Sequence, residues 1–162
     1  MGPRWALIVG VSVVVANGAV VQLSDESFEK ETQCTTGATT GDWFVRFCVA
    51  ACDDHAAFVL GALAEALDGF DDKWINVAAV DCAANEGIKT RFNVTESAKS
   101  LLFVRGRMYD FTHNETLATA DFLRNFTKRP RNETLENGGR GDGLRIPRGP
   151  TWITPFIFRR RR

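Results

Sequence analysis

The hydrophobic pattern changes period between residues 43 and 70, and no other feature narrows the fold of this chain as far. Trp43-Phe44-Val45-Arg46-Phe47 is a short aromatic and β-branched run, suited to a strand near a core. From Asp53 to Phe70 the apolar residues Phe58, Leu60, Leu63, Leu67 and Phe70 recur as a helical stripe, which predicts a long helix with one buried face. A strand that runs straight into a long helix is the first half of a crossover unit, and such units are built around parallel strands.

The flanking segments continue the alternation. Val20 to Leu23 reads as a short strand, and Ser24-Asp25 followed by Glu26 to Gln33 reads as a cap and a helix. Trp74 to Val80 is a third strand and Glu86 to Phe92 a short helix. Leu101 to Val104 and Met108 to Phe111, joined through Arg105-Gly106-Arg107, form a hairpin, and Ala118 to Phe126 closes the domain as a helix. The order βαβαβαββα predicts an α/β fold, with a central mixed sheet that is parallel in its first part and carries an antiparallel hairpin at its end.

A chain of 162 residues has room for one core and its tails. Its formal net charge is zero, so composition offers no argument for nucleic acid. The charge is uneven, however. Residues 131–162 carry eight Arg against Glu133, Glu136 and Asp142, a net +5 that leaves −5 for residues 1–130. With Pro130, Pro147, Pro150 and four glycines between 138 and 143, residues 128–162 are expected to be a disordered tail. Its last apolar patch, Trp152 to Phe158, is too short to span a membrane.

The first nineteen residues read as a signal peptide: Arg4, an apolar run from Trp5 to Ala16, then small residues at Gly18 and Ala19. That run falls short of the roughly 20 apolar residues a spanning helix needs. Four Asn-x-Thr sequons, at Asn93, Asn114, Asn125 and Asn132, agree with a route through an oxidising compartment, either the endoplasmic reticulum lumen or secretion. Cys34, Cys48, Cys52 and Cys82 can form disulfides there, with three pairings open if all four join.

Five stretches fall in the order and spacing of the thioredoxin-like domain of the protein disulfide isomerase family: Val21-Gln22-Leu23, Phe44 to Phe47, Val80-Asp81-Cys82, Arg91-Phe92-x-Val94 and Leu101-Leu102-Phe103. Residues 20–127 resemble that family as a whole. The resemblance implies a thioredoxin-like fold and places Cys52-Asp53-Asp54-His55 on the Cys-x-x-Cys motif. Cys52 then stands at the nucleophilic cysteine and His55 at the resolving one. Ala50 and Ala51 replace the Pro and Trp before the motif, Arg46 stands where the family has a buried acid, and Ala98 stands at the cis-proline.

These departures have chemical consequences. A second thiolate is needed to resolve a mixed disulfide, and His55 cannot supply one. Cys52 at a helix start gains from the dipole and His55 can favour its thiolate, whereas Asp53 and Asp54 oppose it. The two aspartates read most simply as residues that satisfy free N–H groups at the helix start. Cys48 with Cys52 is the other redox spacing. A strand end and a helix start are expected to stand wider apart than the 4.4–6.8 Å between Cα atoms that a disulfide tolerates. Cys82 reads as a buried thiol or a partner of Cys34.

The resemblance implies a secretory-pathway domain that binds unfolded or disulfide-containing polypeptides in protein folding, with at most single-thiol exchange through Cys52. An oxidoreductase working through Cys48 and Cys52, and a secreted glycoprotein serving as an interaction module, are the alternatives. No cofactor and no metal are expected, because no second His lies near His55 in sequence.

Overall fold

Why the central strand is central follows from its side chains. Phe44, Val45 and Phe47 of β2 (Asp42–Cys48) are all buried, so the strand is covered on both faces, as an interior strand of a helix-flanked sheet must be. It pairs parallel with β3 (Ile75–Asp81) on one side and antiparallel with β4 (Lys99–Val104) on the other. β1 (Val21–Leu23) joins β3 in parallel, and β5 (Arg107–Asp110) joins β4 antiparallel. The computed structural model of the chain describes residues 20–35, 40–69, 75–112, 118–128 and 144–148. The signal peptide, Phe70, Trp74, Asn114, Asn132 and Trp152 to Phe158 lie outside them.

Among the described residues, four helices cover the sheet: α1 (Phe28–Thr32), α2 (Asp54–Asp68), α3 (Glu86–Arg91) and α4 (Ala120–Lys128). Side chains alternate across β2, so Val45 and Phe47 enter one core and Phe44 the other. The first core is aromatic. Phe92 lies 5.3 Å from Phe28 and 4.9 Å from Phe47, ring centre to ring centre, and Phe103 closes the group. The second core gathers Leu60, Leu63 and Leu67 of α2, Leu102 of β4 and Leu123 of α4. The βαβαβαββα order and the thioredoxin-like α/β architecture are present as the sequence implies.

Local chemistry fixes the joints. Arg105 and Gly106 have φ of 48° and 77°, the doubly left-handed pair that lets a two-residue turn follow the twist of a hairpin. Asp25, in the turn after β1, reaches across to accept hydrogen bonds from the Gly87 and Ile88 amides at 3.0 and 2.7 Å, capping α3 from a distant part of the chain. A Cβ on Gly87 would stand 3.0 Å from those carboxylate oxygens, which explains the glycine. Glu29 and Arg91 form a buried ion pair at 2.9 Å, and the guanidinium lies over the rings of Phe28 and Phe92.

Two expectations need correction. Phe58 does not belong to the buried stripe of α2: it is 74% exposed, because it stands two residues, or about 200°, around the helix from buried Leu60. The buried face is made instead by Ala56, Leu60, Leu63, Ala64 and Leu67. Residues 144–148 were expected in a tail without structure. Leu144 and Arg145 instead form a sixth strand, β6, antiparallel to β5, giving the order β1-β3-β2-β4-β5-β6, and Ile146 enters the aromatic core. An open sheet edge and one aliphatic side chain suffice to order a segment that composition alone marks as unstructured.

Candidate functional site

At the end of β2 the backbone bends through Val49, Ala50 and Ala51 and enters α2 at Asp53. Asp53 is the N-cap, and its carboxylate accepts from the Ala56 amide at 2.7 Å. Asp54 lies in the first turn, where a negative charge faces the positive end of the helix dipole. Both residues take the helix-start role read from the sequence.

Cys48 and Cys52 are joined by a disulfide, with Cα atoms 5.3 Å apart. The expectation of too wide a gap fails because the bend over residues 49–51 folds the chain back, returning the helix start to the strand end within disulfide reach. The two sulfurs differ in surroundings. Cys48 is 5% exposed, whereas Cys52 is only partly buried and packs against the α2 side of the sheet. Among the four cysteines, Cys34 and Cys82 are free and lie in the aromatic core, so they do not pair with each other.

Those two thiols are chemically quiet. Burial pushes Cys34 up to about 12, and the neighbouring Glu29 carboxylate adds to the effect. Burial likewise pushes Cys82 up to about 11, followed by the charge of Asp81. Both are therefore held as protonated thiols near neutral pH, buried in the aromatic core.

His55 stands exposed in the first turn of α2 and, with Ala56, lines a groove of about 230 Å³ at the start of that helix. The same groove takes Phe44 and Arg46 from β2, Val59, Leu60 and Leu63 from α2, Ser100 from β4, and Ala118. Arg46 faces it because it lies two residues from Phe44 on one face of the strand, directly opposite Ser100 in the ladder. Ala98 lies one step beyond the last β2–β4 pair, Phe47 with Lys99, and so next to the strand end that carries Cys48. Phe58 and Val59 add exposed apolar surface on α2. A groove around the helix start is what the family resemblance implies; its lining by Phe44, Arg46 and Ser100 is not named from the sequence, and the i, i+2 alternation of Phe44 and Arg46 is the available signal.

The two other described residues named from the sequence are Asn93 and Asn125, and both are exposed. Asn93 has φ of 51° and projects between buried Phe92 and Val94, so the core does not enclose it. Among the described residues, no group of three or more His, Cys, Asp or Glu side chains could hold a metal, and no helix is long and apolar enough to cross a membrane.

No family model matches the chain. It is 40% identical over 98 residues to a thioredoxin domain-containing protein of Theileria parva, a match covering 59% of this chain and 43% of that protein. Among solved structures, the human ERp44 zinc-bound form superposes with a TM-score of 0.51 at 20% identity, covering 69% of this chain and 33% of that one. The chain thus spans less than half of the relative it matches and a third of the solved neighbour. The chain has a thioredoxin-like α/β fold, with the Cys48–Cys52 bond at its β2–α2 junction.

Proposed function

We propose that this chain is a protein disulfide isomerase-like domain of the secretory pathway that binds polypeptides beside the start of α2 and exchanges disulfides through Cys52. The observation that carries this reading is the Cys48–Cys52 bond, with Cys52 as the outer sulfur, placed where strand meets helix in a thioredoxin-like fold. The groove lined by Phe44, Val59, Leu60 and Leu63, with Phe58 exposed on the same helix, supplies apolar surface for an unfolded segment. The apolar leader and the sequons support the route, with Asn93 and Asn125 exposed for glycan.

In this reading Cys52-Asp53-Asp54-His55 takes the place of the Cys-x-x-Cys motif, and His55 leaves Cys52 without a thiol three residues on. Single-thiol exchange is then the most that Cys52 alone can perform. The bond to Cys48 favours a second reading, in which the two cysteines work as a couple. A substrate thiolate attacks Sγ of Cys52, the Cys48–Cys52 bond breaks, and Cys48 leaves as a thiolate that takes up a proton. The second substrate thiolate attacks its own sulfur in the mixed disulfide and expels Cys52. The substrate dithiol is oxidised to a disulfide and the cysteine pair is reduced by the same two electrons.

Glutathione-coupled insulin reduction, run with the wild type, Cys48→Ala, Cys52→Ala and His55→Cys, tests both readings. Turnover by the wild type that is lost in either Cys→Ala variant supports the couple. A wild type without turnover, with activity gained in His55→Cys, supports single-thiol exchange. Absence of a mixed disulfide and of peptide binding in every variant overturns the proposal.

A further inference from the structure

The β5 edge carries a site that the redox chemistry does not use. Residues 144–148 lie along it: Leu144 pairs with Met108 and Arg145 with Arg107, Ile146 is 6% exposed in the aromatic core, and the Pro147 carbonyl accepts from Nε of Arg91 at 2.9 Å. Arg91 is itself held by Glu29 at 2.9 Å and by the faces of Phe28 and Phe92, so its Nε is presented in a fixed direction. Backbone pairing, an apolar slot and an oriented donor are the three parts of a site that recognises an extended peptide by strand addition.

We propose that the β5 edge, the Ile146 slot and Arg91 form a peptide-acceptor site, occupied in cis by residues 144–148, whose ligand class is an extended segment with an aliphatic residue just before proline. Its physical basis is a near balance. Two ladder pairs, one aliphatic side chain and one side-chain hydrogen bond stand against the conformational freedom of five residues, and these terms are of similar size. A strand of two residues does not close the edge permanently, whereas β2 and β3 hold each other over seven pairs. The segment therefore leaves the edge far more often than the sheet unfolds, and a free peptide of the same pattern takes its place. The site is independent of the cysteine pair and stands or falls without it.

The test keeps the whole chain. A specific protease site is inserted between Gly138 and Gly139, the folded protein is cut, and a synthetic peptide of residues 143–150 is added in excess with its Ile146→Asp form as control. The expected result is that the cut domain releases the 139–162 fragment, because the tether no longer offsets the cost of association, and then binds the labelled wild-type peptide about tenfold more tightly than the control. A fragment that no peptide displaces, a cut protein that unfolds, or a domain that loses the fragment and then binds no labelled peptide overturns the proposal. Hydrogen exchange on the uncut chain gives a second readout. Amides of residues 107–108 and 144–145 exchanging well before those of β2 and β3 support it, and exchange at the same rate as that core overturns it.

Discussion

Asp42 opens β2 with its carboxyl half-buried, and burial raises it from 3.8 to about 6, against the lowering effect of the Arg105 charge. A raised carboxyl pKa means that the folded state holds the proton more tightly than the unfolded chain. The stabilisation is therefore complete below about pH 4 and is lost as pH rises through about 6. Asp42→Asn should raise the thermal midpoint at pH 7.5, as a rough working pH, and change it little near pH 4; differential scanning fluorimetry at both values checks the sign. The sulfur atoms lead to a different measurement. Because Cys48 is buried and Cys52 partly open, limited alkylation of the reduced protein should label Cys52 first, with Cys34 and Cys82 modified only after denaturation. Peptide mass mapping of the labelled sites reads this directly.

The start of α2 depends on a single cap. Asp53→Ala removes the acceptor of the Ala56 amide and should cost about 1 kcal/mol in urea unfolding, with Asp53→Asn keeping most of it. A larger loss would mean that the cap also fixes the bend that brings Cys52 to Cys48. The joint between α1 and α3 is stronger. Glu29 and Arg91 are 8% and 5% exposed, so Arg91→Met leaves a carboxylate buried without its cation and should cost about 3–5 kcal/mol. The double change Glu29→Gln with Arg91→Met should recover a large part of that loss, because no unpaired charge then remains. A double-mutant cycle by equilibrium denaturation measures the coupling.

Stability of the molecule rests on the two cores, while the β5 edge adds little to it. Leu102→Ala empties a site with 0% exposure in the middle of the sheet and should cost about 3 kcal/mol or more. Ile146→Ala, although Ile146 is also buried, should cost only on the order of 1–2 kcal/mol. On the proposal that the segment releases before the domain unfolds, the loss cannot exceed the free energy of docking. Denaturation midpoints of the two variants, compared at one temperature, decide the point. Equal losses would make β6 part of the cooperative core.

The order of strands and helices was legible in the sequence because each element carries its own period: the Trp43–Phe47 run, the leucines of α2 and the Arg105-Gly106 turn need no distant partner to be read. The candidate chemistry was legible as residue types at a strand-to-helix junction, since Cys48, Cys52, Asp53 and His55 lie within eight positions. Pairings and exposures were not. Spacing alone left Cys48 and Cys52 apart, and only the bend through residues 49–51 brought them together. The exposure of Phe58 is an exception, since its offset of two residues from Leu60, about 200° around the helix, is already present in the sequence. The fate of residues 144–148 depended on an open strand edge, a vacant slot among four phenylalanines' surroundings and an Arg91 donor, all supplied by parts of the chain 35 or more positions away. Local periodicity is encoded in neighbours along the chain, whereas contacts across it exist only once the sheet has set its register.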